Sequence, residues 1–338
     1  MTTPVLADSV KLTVDGVQIL DRRSFPFARE WVLCRTSTEV AKAIEDMVTQ
    51  SSGPYFAALY GMVLAAREAA GLRPHAAFAY MEQAGVRLTN ARRTNNHLRK
   101  AVHAVLSTVS GSGESLVSSA MAGAQAGDDL YRGRSRALGT AAAALLPDDG
   151  GVMTHCWADL YLVDLVSAAQ RDGKRLRFFC TETRPYLQGA RLTAETLAEM
   201  GVDTTLISDG MGAAVLQSGE VDALVTAADR VTMAGDVVNK VGTLGLAVAA
   251  AAFNVPFHAM VQAPDQEART ADDVPIEYRP GEDVLHTLGI RTASEKVRGL
   301  YPAFDVTPPR FVTTIVTDRG PFEPHRIAEY YHEGEQNQ

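Results

Sequence analysis

The sequence predicts an α/β protein in which a mainly helical N-terminal domain with a small β segment precedes a doubly wound, mostly parallel, Rossmann-like sheet. Three observations predict this architecture. Short apolar runs alternate with amphipathic segments after Gly151, helical periodicity dominates residues 38–146, and strand-like runs occur from Lys11 to Arg35. Alternating strands and helices are typical of parallel sheets. We therefore predict two domains, residues 1–150 and residues 151–338.

The β segment opens the chain, because "KLTV" and "VQIL" flank the turn signal Asp15-Gly16. The helical part starts at "TEVAKAIEDMV", in which Val40 and Ile44 have the spacing of one helical face. Further helices are predicted for "YFAALYGMVLAAREA", "NNHLRKAVHAVLSTV" and "SRALGTAAAALL".

Six strands are predicted in the second domain: "GVMTH", "RLRFFC", "TTLIS", "DALVT", "PFHAMV" and "FVTTIV". In parallel sheets of this kind, ligands bind beyond the carboxyl ends of the strands. Cys156, Glu182, Asp209 and Asp229 each follow one of these strands. They are therefore candidates for a site at this edge.

Composition excludes several functional classes. The 338 residues are 46% hydrophobic and 21% charged with a formal net charge of -8, which argues against nucleic-acid binding. The three cysteines have neither zinc-ligand spacing nor the pattern of a disulfide framework. We expect neither a leader peptide nor a segment that spans a bilayer. We expect a cytoplasmic protein that binds neither nucleic acid nor a membrane.

Cys156 lies between a predicted strand and a predicted helix. A thiol exposed there, with its pKa lowered by the helix N-terminus, would serve as a proton carrier or a nucleophile. The alternative is a small buried hydrophobic residue. We adopt that alternative for Cys34 and Cys180.

Asp229 ends the apolar run "VDALVTAAD". Desolvation at the end of a dry strand would raise the pKa of its carboxyl and make it an acid. The alternative is a helix cap or an ion pair with Arg230. Asn239 and Lys240 follow ahead of a predicted helix, an arrangement that suits an anionic oxygen or a phosphate. Asp236 is interpreted as a residue that orients this loop.

The segment "TETRPYLQGARLTAETL" holds further candidates. Pro185 disfavours helix at Arg184, and Gln188 stands where the next helix begins. Glu182 and Arg184 are a candidate ion pair, and Gln188 is a candidate partner for a ligand hydroxyl.

The chain resembles the methylthioribose-1-phosphate isomerase family, which is related to ribose-1,5-bisphosphate isomerases and to the regulatory subunits of translation initiation factor 2B. The segments that carry the resemblance occur in order along most of the chain: "GVQILDRR", "TEVAKAIEDM", "THC", "TETRPYLQGARLT", "AADR", "GDVVNKVGT", "VPIEYR" and "YPAFDVTP".

The resemblance implies aldose–ketose isomerisation of a ribose 1-phosphate, as in methionine salvage. Cys156 and Asp229 match the family's catalytic pair. Four residues match substrate- and phosphate-binding positions: Arg92 (in "ARRT"), Gln188, Asn239 and Lys240. No cofactor and no metal are expected, and the expected partners are a small-molecule sugar phosphate and a second copy of the chain in a homodimer.

The isomerisation moves hydrogen from C2 to C1 after the bond between C1 and the ring oxygen has broken. We assign Cys156 to the carbon-bound proton and Asp229 to the oxygens, because a thiol and a carboxylic acid divide such work. A direct hydride shift is the alternative.

Several positions depart from the family pattern. "QSSGP" (Gln50 to Pro54) replaces an "RGAP" phosphate loop, Trp157 follows the catalytic cysteine where the family has asparagine, and Ala228 and Ala234 replace a glycine and an asparagine. These changes predict that methylthioribose 1-phosphate is not the best substrate and that a 5-deoxy or otherwise 5-modified ribose 1-phosphate is preferred.

A non-catalytic role is the alternative function. The protein would then bind a sugar phosphate or nucleotide, or serve assembly, as the initiation-factor relatives do. The lost "RGAP" loop favours this alternative. The retained pair Cys156 and Asp229 argues against it.

Overall fold

A computed structural model describes residues 3–92 and 96–332 of the chain. It divides into two compact units, Val5–Gly133 and the residues from Arg134 onward. No helix in the described ranges has both the length and the apolar character that crossing a membrane requires. The unit boundary falls inside one long helix, and the predicted domain boundary after residue 150 stays a prediction.

The N-terminal unit consists of a small antiparallel sheet and helices. Its elements are β1 (Val10–Leu12), β2 (Val17–Leu20), β3 (Trp31–Cys34), α1 (Ser37–Glu45), α2 (Gly53–Ala69), α3 (Pro74–Asn90), α4 (Asn96–Leu106) and the first part of α5 (Glu114–Ala144). The predicted β segment and helices are confirmed, although Asn95, the first residue of one predicted helix, lies outside the described residues. Helix α3 was not predicted.

The second unit alternates strands and helices after the end of α5. Its elements are β4 (Asp149–Thr154), α6 (Asp159–Arg171), β5 (Arg175–Thr181), α7 (Ala194–Glu199), β6 (Asp203–Ile207), α8 (Gly212–Gln217), β7 (Ala223–Ala227), β8 (Arg230–Val231), β9 (Val237–Lys240), α9 (Thr243–Ala252), β10 (Phe257–Met260), β11 (Tyr278–Arg279), α10 (Glu282–Leu285), β12 (His286–Thr287), β13 (Ile290–Arg291), β14 (Tyr301–Pro302), β15 (Phe304–Thr307), β16 (Thr314–Thr317), β17 (Gly320–Phe322) and α11 (Glu329–His332).

The main sheet has seven strands in the order β17-β16-β10-β7-β4-β5-β6. All neighbouring pairs are parallel except β16 and β17. The chain enters at β4, builds β5 and β6 on one side, and then builds β7, β10 and β16 on the other. The strand order therefore reverses between β4 and β7, which makes their carboxyl ends the expected place for a ligand. The predicted doubly wound, mostly parallel sheet and its six strands are confirmed.

The central strands lie in the dry core of the sheet. Val152 and Met153 of β4, Leu224 of β7 and Ala259 of β10 are completely buried. Parallel strands covered on both faces have such continuous apolar runs. The core therefore fixes the register of β4 against β7, where Met153 lies opposite Leu224.

A smaller antiparallel sheet of β8, β9 and β15 follows the end of β7. In its register Lys240 lies opposite Phe304, and Asn239 lies opposite Asp305. The segment between Asp229 and Thr243 is therefore a short hairpin that leads into α9.

Candidate active site

Cys156 follows β4, and its backbone is held on both sides. Its φ angle is 64°, in the left-handed region that residues other than glycine seldom adopt. Its N–H donates to the Thr183 hydroxyl at 2.9 Å, and its carbonyl accepts from the hydroxyl of Thr193. Thr193 belongs to a π-helical turn, Gly189–Thr193, of a kind often found at functional sites. These contacts fix the direction of the half-buried thiol.

Burial raises the pKa of the Cys156 thiol above its ordinary value. The charges of Lys240 and Arg279 and a hydrogen bond from the Trp157 backbone N–H to the sulfur act in the opposite direction, whereas the charge of Asp229 reinforces the rise. The predicted lowering of the pKa is therefore wrong, because desolvation outweighs the nearby cations. The thiol is the resting form near neutral pH.

The two remaining cysteines are core residues, as predicted. Cys34 and Cys180 are buried, and burial raises their pKa values to about 11 and about 12. They are therefore inert thiols.

Asp229 lies two residues beyond β7, at the carboxyl edge of the sheet, and its side chain is exposed. The dry surroundings predicted for its carboxylate are therefore not present. Its N–H donates to the Val238 carbonyl at 2.9 Å. Arg230, the alternative ion-pair partner, instead contacts Asp265 at 3.2 Å.

Lys240, at the end of β9, is only 5% exposed. Its ammonium lies 4.5 Å from the centroid of the Phe304 ring. It has no ion pair with any residue in the described ranges. Burial lowers its pKa, the charge of Arg279 adds to that effect, and the charges of Cys156 and Asp229 oppose it. An unpaired buried ammonium is costly in the free protein, which makes Lys240 a candidate binding site for an anion.

Asn239 precedes this lysine and is also buried. Its amide nitrogen donates to the Thr243 hydroxyl at 3.0 Å, at the start of α9. Asp236, by contrast, accepts from the Thr232 hydroxyl at 2.9 Å and from the Ala271 N–H at 3.2 Å. Asp236 therefore orients the hairpin, as interpreted from the sequence.

Gln188 lies between Thr183 and Thr193, the two residues that hold Cys156. Its side chain is 8% exposed, and its Oε1 atom accepts no hydrogen bond from the residues that the structure describes. The next residue must be glycine, because a Cβ atom on Gly189 would lie 1.7 Å from the Thr181 carbonyl oxygen. The close packing of this turn against β5 positions Gln188.

The loop before Gln188 is fixed by Asp209, and not by the ion pair considered from the sequence. The two carboxylate oxygens of Asp209 accept from the N–H groups of Thr183 and Arg184, each at 2.7 Å. The Arg184 guanidinium donates to the carbonyls of His286 and Val284 at 2.8 and 2.9 Å. Arg184 is therefore bound to backbone carbonyls and forms no pair with Glu182.

His155 is a site residue that the sequence analysis did not single out. Its Nε2 atom is 2.9 Å from the Val241 carbonyl and its Nδ1 atom 2.6 Å from the Thr181 hydroxyl. Because the carbonyl only accepts, Nε2 donates and Nδ1 accepts. Burial lowers the pKa of His155, which keeps the ring neutral. The ring thus joins the segments that follow β4, β5 and β9.

Several buried polar atoms at this edge have no hydrogen-bond partner in the described part of the chain. They are Thr154 Oγ1, Trp157 Nε1, Gln188 Oε1, Thr226 Oγ1 and the Tyr301 hydroxyl. Such atoms cost stability unless a ligand or water satisfies them. Their grouping beside a thiol, a carboxylate and two cations indicates a site for a polar anion.

Arg279 and Tyr301 were also not predicted as site residues, although both lie in segments that carry the resemblance. No periodicity or spacing signals their role, since each lies on a two-residue strand. The predicted residue Arg92 follows α3 in the N-terminal unit, and its part in the site stays a prediction. Arg93 and Thr94 of the same motif lie outside the described residues.

Comparison with known proteins identifies the family. Residues 49–324 match the model of the initiation factor 2 subunit family. The methylthioribose-1-phosphate isomerase of Thermotoga neapolitana is 38% identical over 332 residues, which cover 94% of this chain and 95% of that relative. The chain belongs to the methylthioribose-1-phosphate isomerase family. The resemblance predicted from the sequence motifs is confirmed.

Solved structures of this family and of its relatives have the same fold. The 5-methylthioribose 1-phosphate isomerase of Pyrococcus horikoshii superposes with a TM-score of 0.90 at 30% identity, covering 99% of each chain. The translation initiation factor eIF-2B subunit delta of A. fulgidus gives a TM-score of 0.85 at 33% identity, covering 94% of this chain and 96% of that one.

The cap of α9 gives a test of the electrostatics beside the site. Asp305 accepts from the N–H groups of Gly242 and Leu244 at 2.7 and 3.2 Å, yet burial raises its pKa from 3.8 to about 6. Between these values the folded state keeps a proton that the unfolded state releases, so stability falls as pH rises through this window. We expect Asp305→Asn, which cannot ionise, to gain stability relative to the wild type between pH 4 and pH 7.

Denaturant unfolding at a series of pH values measures this difference. Asp203→Asn, a change at an exposed carboxylate of β6, is the matched control. A difference between Asp305→Asn and the wild type that stays constant from pH 4 to pH 7 would contradict the assigned cause.

Proposed function

We propose that the protein is an aldose–ketose isomerase that converts a 5-modified ribose 1-phosphate to the ribulose 1-phosphate. One observation carries the proposal. Cys156 and Asp229 follow neighbouring parallel strands, β4 and β7, on either side of the reversal in strand order. The buried ammonium of Lys240 lies near enough to both residues for their charges to influence its pKa. The names of the family's relatives support the reaction type.

The phosphate has a defined set of proposed partners. Lys240 supplies the cation, and Gln188 and Asn239 supply amide groups. The family pattern assigns Arg92 to the phosphate as well, and that assignment stays a prediction. A dianion satisfies a buried cation that has no counter-ion, which is why we assign the phosphate to Lys240.

The proposed chemistry begins with an internal proton transfer that is uphill from the resting states, because the thiol has a raised pKa and the Asp229 carboxylate is exposed. Transfer of the Cys156 thiol proton to the Asp229 carboxylate produces a thiolate base and a carboxylic acid at once, with no change in net charge. The Trp157 N–H stabilises the thiolate through its hydrogen bond to the sulfur. The pair therefore generates both reactive forms without exchanging a proton with solvent.

The proposed steps restore both groups. Asp229 gives its proton to the ring oxygen as the bond between C1 and that oxygen breaks. The Cys156 thiolate takes the C2 proton, and the electron pair of that bond forms the C1=C2 double bond. The thiol then returns a proton to C1 while the C2 hydroxyl gives its proton to Asp229, which leaves a ketone at C2. A direct hydride shift from C2 to C1 is the alternative.

The substrate preference is proposed to follow from Trp157. This side chain is 5% exposed and stands directly after the catalytic cysteine. Its bulk occupies space in which the family pattern has a smaller asparagine.

The homodimer and the cytoplasmic location predicted from the sequence remain predictions.

We predict that Cys156→Ser and Asp229→Asn each lower turnover by about 10²–10⁴-fold while keeping the fold, because each removes a positioned acid–base group. The double variant should lose far less than the product of the two single losses, since the residues act as one unit. Turnover is measured by NMR detection of the ketose formed from a ribose 1-phosphate.

The controls for this experiment remove the same groups elsewhere in the sheet. Cys180→Ala and Asp203→Asn should retain turnover. Reaction in D₂O tests the route, because solvent deuterium found at C1 of the ketose supports transfer through the thiol and a hydride shift delivers none. Wild-type turnover by a folded single variant would refute the assigned pair.

A wild-type protein that binds sugar phosphates without isomerising them would support the non-catalytic alternative, to which the A. fulgidus relative gives weight.

We predict that a 5-deoxyribose 1-phosphate is turned over with a higher kcat/KM than methylthioribose 1-phosphate. A methylene-sized mismatch in a pocket changes discrimination by about 1–3 kcal/mol, or roughly 10–200-fold. Trp157→Ala should move the preference toward the methylthio compound. Competition between the two substrates, followed by ³¹P NMR, measures the ratio. A wild-type preference for the methylthio compound would reject the prediction.

A further inference from the structure

A two-stranded ribbon beside Cys156 presents an arginine and a tyrosine that the proposed mechanism has not used. Strands β11 and β14 pair antiparallel, with Arg279 directly opposite Tyr301. Directly opposed residues on neighbouring strands lie close enough for their side chains to interact. The neighbouring residue Tyr278 is exposed, as alternation along the strand requires.

The Arg279 guanidinium is positioned by one hydrogen bond and by three aromatic rings, and only part of its donor capacity is used. Its side chain is 12% exposed, and its Nε atom donates to Glu277 Oε1 at 2.8 Å. Its ζ carbon lies 5.6 to 6.0 Å from the ring centroids of Tyr186, Tyr301 and Phe304. Neither terminal nitrogen forms a well-aligned hydrogen bond with a residue within the described ranges, although the guanidinium lies close enough to the Tyr301 hydroxyl to lower its pKa. Two pairs of N–H donors are thus preorganised for an oxygen ligand.

Arg279 and Lys240 share one aromatic ring. The Lys240 ammonium lies 4.5 Å and the Arg279 ζ carbon 5.9 Å from the centroid of Phe304. Two cations brought together in a largely buried place repel each other, and the repulsion contributes to the lowered pKa of Lys240. A dianionic group bound between them relieves that repulsion, whereas a neutral ligand does not.

The Tyr301 hydroxyl is a donor without an acceptor. The residue is 2% exposed, and its hydroxyl forms no well-aligned hydrogen bond with the described residues, although it lies beside Arg279. Burial raises its pKa to about 12, and the charge of Cys156 contributes to the rise. The phenol therefore stays protonated, and it lies close enough to Cys156 for the charge of that residue to affect it.

We propose that Arg279 and Tyr301 are further substrate-contacting residues of this site: Arg279 binds the substrate phosphate together with Lys240, and Tyr301 donates a hydrogen bond to the C2 oxygen. The assignment rests on the proposed function. C2 is the carbon whose proton Cys156 takes, so a donor beside the thiol faces the oxygen on that carbon. Glu277 is a positioning residue for Arg279, because its carboxylate accepts the Nε hydrogen bond of that arginine.

The role of Tyr301 is electrostatic and involves no proton transfer. The C2 oxygen gains negative charge when its hydroxyl proton passes to Asp229 and the ketone forms. A fixed donor aimed at such an oxygen stabilises the transition state more than the ground state. Arg279, by contrast, contacts a phosphate whose charge does not change, so it contributes to binding in both states.

The two residues should therefore differ in the kinetic constant that they affect. We expect Tyr301→Phe, which keeps the ring over Arg279, to lower kcat by about 10²-fold or more with little change in KM. We expect Arg279→Lys, which keeps the charge but loses the planar fork, to raise KM by about 10-fold with a smaller effect on kcat. Tyr278→Phe and Arg298→Lys, both at exposed positions, are the matched controls.

The experiment separates this inference from the proposed function. If the wild type isomerises a ribose 1-phosphate and both variants behave like their controls, the inference is wrong and the function stands. If the wild type isomerises none, calorimetric titration of Arg279→Lys and Arg298→Lys with inorganic phosphate still tests the cation. Binding weakened only in Arg279→Lys supports its role, and equal binding overturns it.

Discussion

The pairing of β4 with β7 is the constraint on which the site depends. The strand order reverses between these two strands, so the chain leaves their carboxyl ends in opposite directions and opens a crevice there. Completely buried side chains, Met153 and Leu224 among them, hold this pairing in register. Cys156 and Asp229 come to the same edge of the sheet because they follow neighbouring strands, although 73 positions separate them in the sequence. The apolar core of the sheet thus positions Cys156 and Asp229.

The second feature of the site is charge that the fold places in a dry environment before any ligand arrives. Lys240 lacks a counter-ion in the described ranges, Arg279 shares its aromatic ring, and several buried polar atoms have no partner. The unpaired cation, the closeness of the two cations and the unpaired polar atoms each lower the stability of the free protein. The same arrangement needs little reorganisation when an anion binds, which is how preorganised sites stabilise charged substrates and transition states. Neutral His155 and the tightly packed turn at Gly189 keep these groups in place.

Much of the fold follows from local patterns, because alternation of apolar strands and amphipathic helices is a short-range signal. The positions of Cys156, Asp229 and Lys240 after or on strands follow from the same signal. Their environments do not, since burial is a tertiary property: the thiol has a raised pKa where a lowered one was predicted, and Asp229 is exposed where a dry carboxylate was predicted. Arg279 and Tyr301 were not predicted as site residues, because a two-residue strand is too short to show a periodic pattern in the sequence.

The pKa of the Lys240 ammonium tests the central claim most directly. NMR of isotopically labelled lysine, assigned with Lys240→Arg, measures it in the free protein and at saturation with a ribose 1-phosphate. The account predicts a pKa below the ordinary value of 10.5 in the free protein, and a rise on binding because the phosphate supplies the missing counter-ion. An ordinary pKa in the free protein, or a lowered pKa that the sugar phosphate leaves unchanged, would contradict the account.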